Sequence, residues 1–219
     1  MVTAVIVSPL NAILDDDAAT RAGWDLLDVA RAFLDGGATF LQLRGKQRSS
    51  AWLLETAAQL VRMAQPFGAL VVVNDRADVA QLAGAGGVHV GQDDLTPEAV
   101  RRLMDPDRIV GLSTHSIAQV DAAVAQPIDY VAIGPVFGTA SKNTGYDAVG
   151  VRLVEAAAAR ARPRDLPVVA IGGITLVSAT DVMSAGASAV AVISDLLVTG
   201  DPRARVREYL DKLKRIHGL

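Results

Sequence analysis

Short apolar runs alternate with amphipathic stretches along the whole chain, eight times over. The strand-like runs fall at residues 4–7, 39–43, 70–73, 87–90, 109–112, 130–133, 168–171 and 189–193. They are too short for helices and rich in β-branched residues, which fits strands buried on both faces. Between them, helix-like periodicity covers residues 24–34, 51–63, 77–82, 97–104, 117–124, 149–161, 178–184 and 203–216. Thr96-Pro97-Glu98 supplies a cap, a first-turn proline and an acid at one helix start, and Ser116 and Asp201-Pro202 mark two others. Eight strand–helix pairs with short connections predict a single (β/α)8 TIM barrel, one α/β domain over residues 1–219. An open doubly wound sheet is the competing topology. It needs a glycine-rich loop after its first strand, and Ser8-Pro9-Leu10 is not one.

Composition narrows the function classes. Hydrophobic residues make up 51% and aromatics only 4%, an aliphatic core suited to parallel strands under alanine-rich helices. A net charge of −3 gives no electrostatic case for nucleic acid or an anionic membrane as partner. With no cysteine, disulfides, thiolate metal sites and cysteine nucleophiles are excluded. No basic leader precedes Asp15-Asp16-Asp17, and no apolar run approaches the roughly 20 residues of a membrane span, so a cytoplasmic protein is expected. Self-association into a homo-oligomer is left open.

In such a barrel the chemistry gathers at the C-terminal ends of the strands. Reading just past each run collects Gln42, Arg44 and Lys46, then Asn74 and Asp75, then Gln92 and Asp94. Ser113 and His115 follow, then Thr139, Ser141 and Lys142, then Gly172-Gly173, and finally Ile193-Ser194. Arg44, Lys46 and Lys142 are the cations expected around a phosphate chain. Asp75 and Asp94 face them in successive loops. Capping is the bland account of Asp75, but Thr96 already caps the helix after Asp94. Two carboxylates beside a substrate phosphate favour Mg²⁺, and no histidine cluster supports zinc. Gly172-Gly173 with Ser194 occupies the place where barrels often bind phosphate through backbone N–H groups. Elsewhere the bland reading prevails. His89 is expected as a core histidine, Trp24 and Trp52 as packing residues and Arg48 as surface. The basic stretch from Arg203 to Arg215 is expected as a solvated helix face.

The motifs as a set resemble the thiamine-phosphate synthase family. They are Gln42-Leu43-Arg44-Gly45-Lys46, Val73-Asn74-Asp75-Arg76, the stretch Gly87-Val88-His89-Val90-Gly91-Gln92-Asp93-Asp94, and Gly111-Leu112-Ser113-Thr114-His115. The series continues with Gly134-Pro135-Val136-Phe137-Gly138-Thr139-Ala140-Ser141-Lys142, Ala170-Ile171-Gly172-Gly173-Ile174 and Val192-Ile193-Ser194. The resemblance implies the same barrel, and a reaction joining a hydroxymethylpyrimidine diphosphate to a thiazole phosphate (or its carboxylated form) with release of pyrophosphate. It implies that Gln42, Arg44, Lys46, Asn74, Ser113 and Lys142 bind the diphosphate, with Arg44, Lys46, Lys142 and Ser113 catalytic. Asp75 and Asp94 would hold Mg²⁺, and Thr139, Ser141, Gly173, Ile193 and Ser194 would hold the thiazole phosphate. Gly45 stands where the family often has Glu, Ser141 where it often has Thr, and Asn143-Thr144-Gly145-Tyr146 departs from the commoner basic continuation. Two other readings compete: a thiazole tautomerase-like isomerase working through His115, and a non-catalytic barrel that binds phosphate metabolites.

Overall fold

Eight parallel strands pair in chain order, and the eighth returns to the first, so the sheet closes without an edge. The structure, a computed structural model, describes residues 8–138 and 148–217. The strands are β1 (Leu10–Asp15), β2 (Phe40–Arg44), β3 (Leu70–Asn74), β4 (Gly87–Val90), β5 (Ile109–Thr114), β6 (Tyr130–Ile133), β7 (Val168–Ile171) and β8 (Ala189–Val192). The helices are α1 (Asp16–Arg21), α2 (Leu26–Asp35), α3 (Ser50–Ala64), α4 (Ala77–Leu82), α5 (Pro97–Leu103), α6 (Ile117–Ala123), α7 (Gly150–Ala161), α8 (Ala179–Ser184) and α9 (Pro202–His217). The (β/α)8 barrel expected from the pattern is present.

One strand was misplaced by the pattern. The run at residues 4–7 lies outside the described residues, and the strand that pairs with both β2 and β8 is Leu10–Asp15. Its polar Asn11 and Asp15 disguise it, because both point inward. The short helix α1 was also not anticipated. Asp15 starts it, its Oδ1 accepting from Ala18 N–H at 2.8 Å.

Alternation along each strand divides the interior into two cores. Outward positions such as Leu14, Leu43, Val73, Val90, Leu112, Ile133 and Val192 meet the helices in the larger apolar cluster. Inward positions form a smaller one, with Ile13, Phe40, Val72, Tyr130, Ala132, Val169, Ala189 and Ala191. The same inward parity continues upward into Asp15 and Arg44, which are register partners, and into Asn74, paired with His89. Polar character therefore increases toward the C-terminal strand ends. Trp24 and Trp52 pack against the outer core, as expected of them.

Candidate active site

The expected site residues within the described chain all fall at or just beyond the C-terminal end of a strand. In a closed parallel barrel that places them around one mouth. Thr139, Ser141 and Lys142 lie outside the described residues.

At the end of β3 the chain turns sharply at Asp75, whose φ of 64° is a left-handed conformation that, after glycine, aspartate and asparagine adopt most readily. The Asp75 N–H donates to the His89 carbonyl at 2.7 Å, which holds the turn against β4. The Asp75 side chain does not cap α4, whose N-cap, Arg76, makes no side-chain capping bond. It sits instead 3.4 Å from the Lys46 ammonium and beside the Asp94 carboxyl. Burial, then the Asp94 charge, pushes the Asp75 carboxyl above the ordinary carboxylate range, and Lys46 pulls it partly back. Asp94 accepts from Gly91 N–H at 2.8 Å, and Thr96 caps α5 by accepting from Ala99 N–H at 3.3 Å. Neither acid is therefore explained by capping. Two carboxylates side by side at adjoining strand ends suit a hard divalent cation, which removes their repulsion. No third histidine or acid joins them among the described residues, consistent with an ion that completes its shell from water and substrate phosphate.

Arg44, at the tip of β2, is 11% exposed and ion-paired with the buried Asp15. One turn on, Arg48 engages Asp16 through two bonds, Nε to Oδ2 at 2.7 Å and Nη2 to Oδ1 at 3.1 Å, while its guanidinium lies 4.9 Å over the Trp52 ring. Asp15 and Asp16 are site-forming residues that sequence reasoning missed. Their partners lie 29 and 32 residues away, so no local pattern signals the pairing. A Cβ on Gly45 would come within 2.9 Å of the Trp52 ring, so an acid there would displace that tryptophan. The carboxylates that balance this loop come from the end of β1 instead.

On β5, Ser113 is half-buried, and its hydroxyl lies 2.8 Å from His89 Nε2. The Gln92 side-chain amide donates to the Ser113 carbonyl at 2.6 Å, tying the β4 loop to β5. His115 is committed elsewhere. Its Nδ1 lies 2.5 Å from the Gly134 carbonyl and its N–H donates to Gln119. Gln42 and Asn74 sit on inward positions of β2 and β3, Gln42 almost wholly buried.

Opposite, the β6 and β7 exits are stitched together. Val136 N–H donates to Ile171 O at 2.9 Å and Phe137 N–H to Gly172 O at 3.0 Å. Gly173 has a φ of 62°, and a Cβ there would lie 2.5 Å from the Gly138 carbonyl. Beyond β8, buried Ile193 leads into the 3₁₀ turn Ser194–Leu196. Ser194 lines a cavity of about 220 Å³ with Ala18, Arg21, Ala22, Leu197 and Val198. Asp195 in that turn accepts from Leu176 N–H, from Arg205 at 2.7 Å and from the Tyr209 hydroxyl at 2.5 Å. The expectation of a uniformly solvated basic face on α9 is thus corrected. Arg205 is only 14% exposed, and Lys212 donates to the Leu176 carbonyl at 2.6 Å.

The fold and this mouth define a barrel enzyme for phosphorylated small molecules, with an acid pair placed beside a lysine. Residues 10–196 match the family model for thiamine monophosphate synthase. The chain is 45% identical to the thiamine-phosphate synthase of Koribacter versatilis over 86% of each protein. It is 40% identical to that of Thermosynechococcus vestitus, over 87% of this chain and 53% of that longer protein. A solved thiamine phosphate pyrophosphorylase from Pyrococcus furiosus superposes with a TM-score of 0.84 at 28% identity, covering 94% of this chain and 96% of that one. The chain belongs to the thiamine monophosphate synthase family.

Proposed function

We propose that this mouth binds a pyrimidine diphosphate on its β2–β5 side and a thiazole phosphate on its β6–β8 side, and joins them with loss of pyrophosphate. As a member of its family the chain is a transferase of thiamine biosynthesis acting on small molecules. The observation that carries the reading is the corner of Asp75, Asp94 and Lys46, two acids and a cation meeting at adjoining strand ends.

Gln42, Arg44, Lys46, Asn74 and Ser113, with Lys142, which follows β6 in the sequence, take the diphosphate. Gly173, Ile193 and Ser194, with Thr139 and Ser141, take the thiazole phosphate. Asp75 and Asp94 hold Mg²⁺. When bound, the ion neutralises charge on the departing pyrophosphate. Arg44 and Lys46 meet the same charge from the β2 side, the electrostatic stabilisation that most lowers such barriers. The bond between the pyrimidine methylene and the diphosphate oxygen breaks, and its electron pair leaves with pyrophosphate. The electron-rich pyrimidine carries the resulting cation until the thiazole nitrogen donates its lone pair to form the C–N bond. No protein nucleophile is needed, and positioning of the two substrates supplies the rest. The reaction fits a cytoplasmic enzyme, and one barrel domain suffices for it. No helix among the described residues is long and apolar enough to cross a membrane.

The test is to incubate the protein with both substrates and Mg²⁺ and follow pyrophosphate and thiamine phosphate. Formation of both products, lost on chelation and restored by Mg²⁺, is expected. Interconversion of thiazole tautomers without pyrophosphate would favour the isomerase. Binding of both ligands without either reaction would leave a non-catalytic barrel.

A further inference from the structure

Beneath the mouth, three polar side chains form a line across the barrel interior. His89 Nδ1 lies 2.8 Å from the Tyr130 hydroxyl, and His89 Nε2 lies 2.8 Å from Ser113 Oγ. The His89 and Tyr130 rings run side by side, 5.4 Å apart and 15° from parallel, and Phe40 meets Tyr130 edge-on at 5.9 Å. Room for this arrangement is reserved on β5, where a Cβ on Gly111 would collide with the hydroxyl end of Tyr130. The reaction as derived gives no role to His89 or Tyr130.

Such a line can be polarised in two directions, and the buried phenol selects one. Tyr130 is 0% exposed. Burial, with the nearby Asp129 charge, pushes its phenol far above the ordinary range, so the proton stays on oxygen. Among the described residues the Tyr130 hydroxyl has one hydrogen-bond partner, His89 Nδ1. Were Nδ1 to carry a proton, it would donate to the phenol oxygen and strand the phenol proton, at a cost of about 1–3 kcal/mol for a buried donor. Tyr130 O–H therefore donates to Nδ1. The ring proton then resides on Nε2 and is donated to Ser113 Oγ. Ser113 is an acceptor on its inner side, so its own proton turns away from His89, and Ser113 stands half-buried at the strand end.

We propose that Tyr130 and His89 are positioning residues that set the Ser113 hydroxyl as a hydrogen-bond donor to an anionic phosphoryl oxygen of the substrate. The proposal rests on the assignment of Ser113 to the diphosphate side of the mouth. It extends that assignment by fixing which partner gives the proton.

The full chain labelled with ring ¹⁵N histidine tests it by NMR at neutral pH. The chain has three histidines, and His115→Gln and His217→Gln identify two of the signals, leaving His89. A proton on Nε2 with a bare Nδ1 is expected. A proton on Nδ1 of His89, or on both of its ring nitrogens, would overturn the proposal, with Tyr130, His89 and Ser113 themselves left unaltered. In kinetics, Tyr130→Phe should lower kcat/KM for the diphosphate roughly tenfold. Adding it to Ser113→Ala should cost nothing further, and additive losses would overturn the proposal too. Wild-type turnover by Ser113→Ala would instead remove the diphosphate assignment of Ser113, leaving the tautomer result to stand by itself.

Discussion

Asp15 and Arg44 end neighbouring strands as register partners, and the buried carboxylate holds the guanidinium at the rim of the barrel. One oxygen of Asp15 caps α1 while the other engages Arg44. A single side chain thus links the start of a helix to the aim of a cation at the barrel mouth.

Replacing Asp15 with Ala should therefore damage two things together. Loss of the cap costs about 1 kcal/mol, and leaving Arg44 without its buried partner raises the total to about 3 kcal/mol or more. Denaturant melts read that loss. Misplacing Arg44 should lower kcat/KM roughly 100-fold. Asp15→Asn keeps a capping oxygen and should fall between the variant and the wild type in stability.

For Asp75, stability and activity should move in opposite directions. Its carboxyl is raised in the folded state, so between the unfolded and folded pKa values the folded chain binds more protons. Stability from this group is present at low pH and is lost as pH rises from the ordinary carboxylate range through the raised value. Asp75→Asn removes the buried charge and tolerates the left-handed backbone, so without Mg²⁺ it should melt higher than the wild type at pH 7. Pyrophosphate release should fall at least roughly 100-fold. A lower melting temperature at pH 7 with chelator present would contradict the electrostatic account of this corner.

Gly45 is the place where an acid would be expected by resemblance, yet the space belongs to Trp52. Gly45→Glu should cost about 1–3 kcal/mol through overpacking and should leave turnover no better than the wild type. Thermal melts and steady-state rates decide it. Faster turnover would mean that the β1 acids do not balance this loop.

Across the mouth, Gly173→Ala should separate the two substrates. A methyl group there meets the Gly138 carbonyl at 2.5 Å in a left-handed backbone. KM for the thiazole phosphate should rise at least roughly tenfold, about 1.4 kcal/mol of lost binding, with KM for the diphosphate unchanged. Initial-rate measurements varying each substrate in turn provide the check.

Most of the barrel was legible because its outward strand faces are plain aliphatic runs. β4, β6 and β7 begin and end where the apolar pattern does. β1 was not legible, for a reason tied to function. Asn11 and Asp15 are inward positions, so the residues that make the interior polar are the ones that break the hydrophobic signal of their strand. Asp75, Asp94 and Lys46 were found from strand-end position alone, and the structure brings them together. The pairs Asp15–Arg44 and Asp16–Arg48 stayed hidden because tertiary closure creates them. Arg205 was misread for a similar reason. Its sequence neighbours are solvated, and only the approach of Asp195 from the β8 turn makes it half-buried.

That approach gives the end of the chain a reach that its distance from any substrate group conceals. Asp195 follows Ser194 directly, and the carboxylate is gripped by Arg205 and Tyr209 on α9 and by the Leu176 amide beyond β7. The last helix is thus a clasp on the β8 turn, fastening the segment that carries Ser194 from outside the barrel. Alterations to the last helix would register first at the turn that carries Ser194, while the eight-stranded wall still stands.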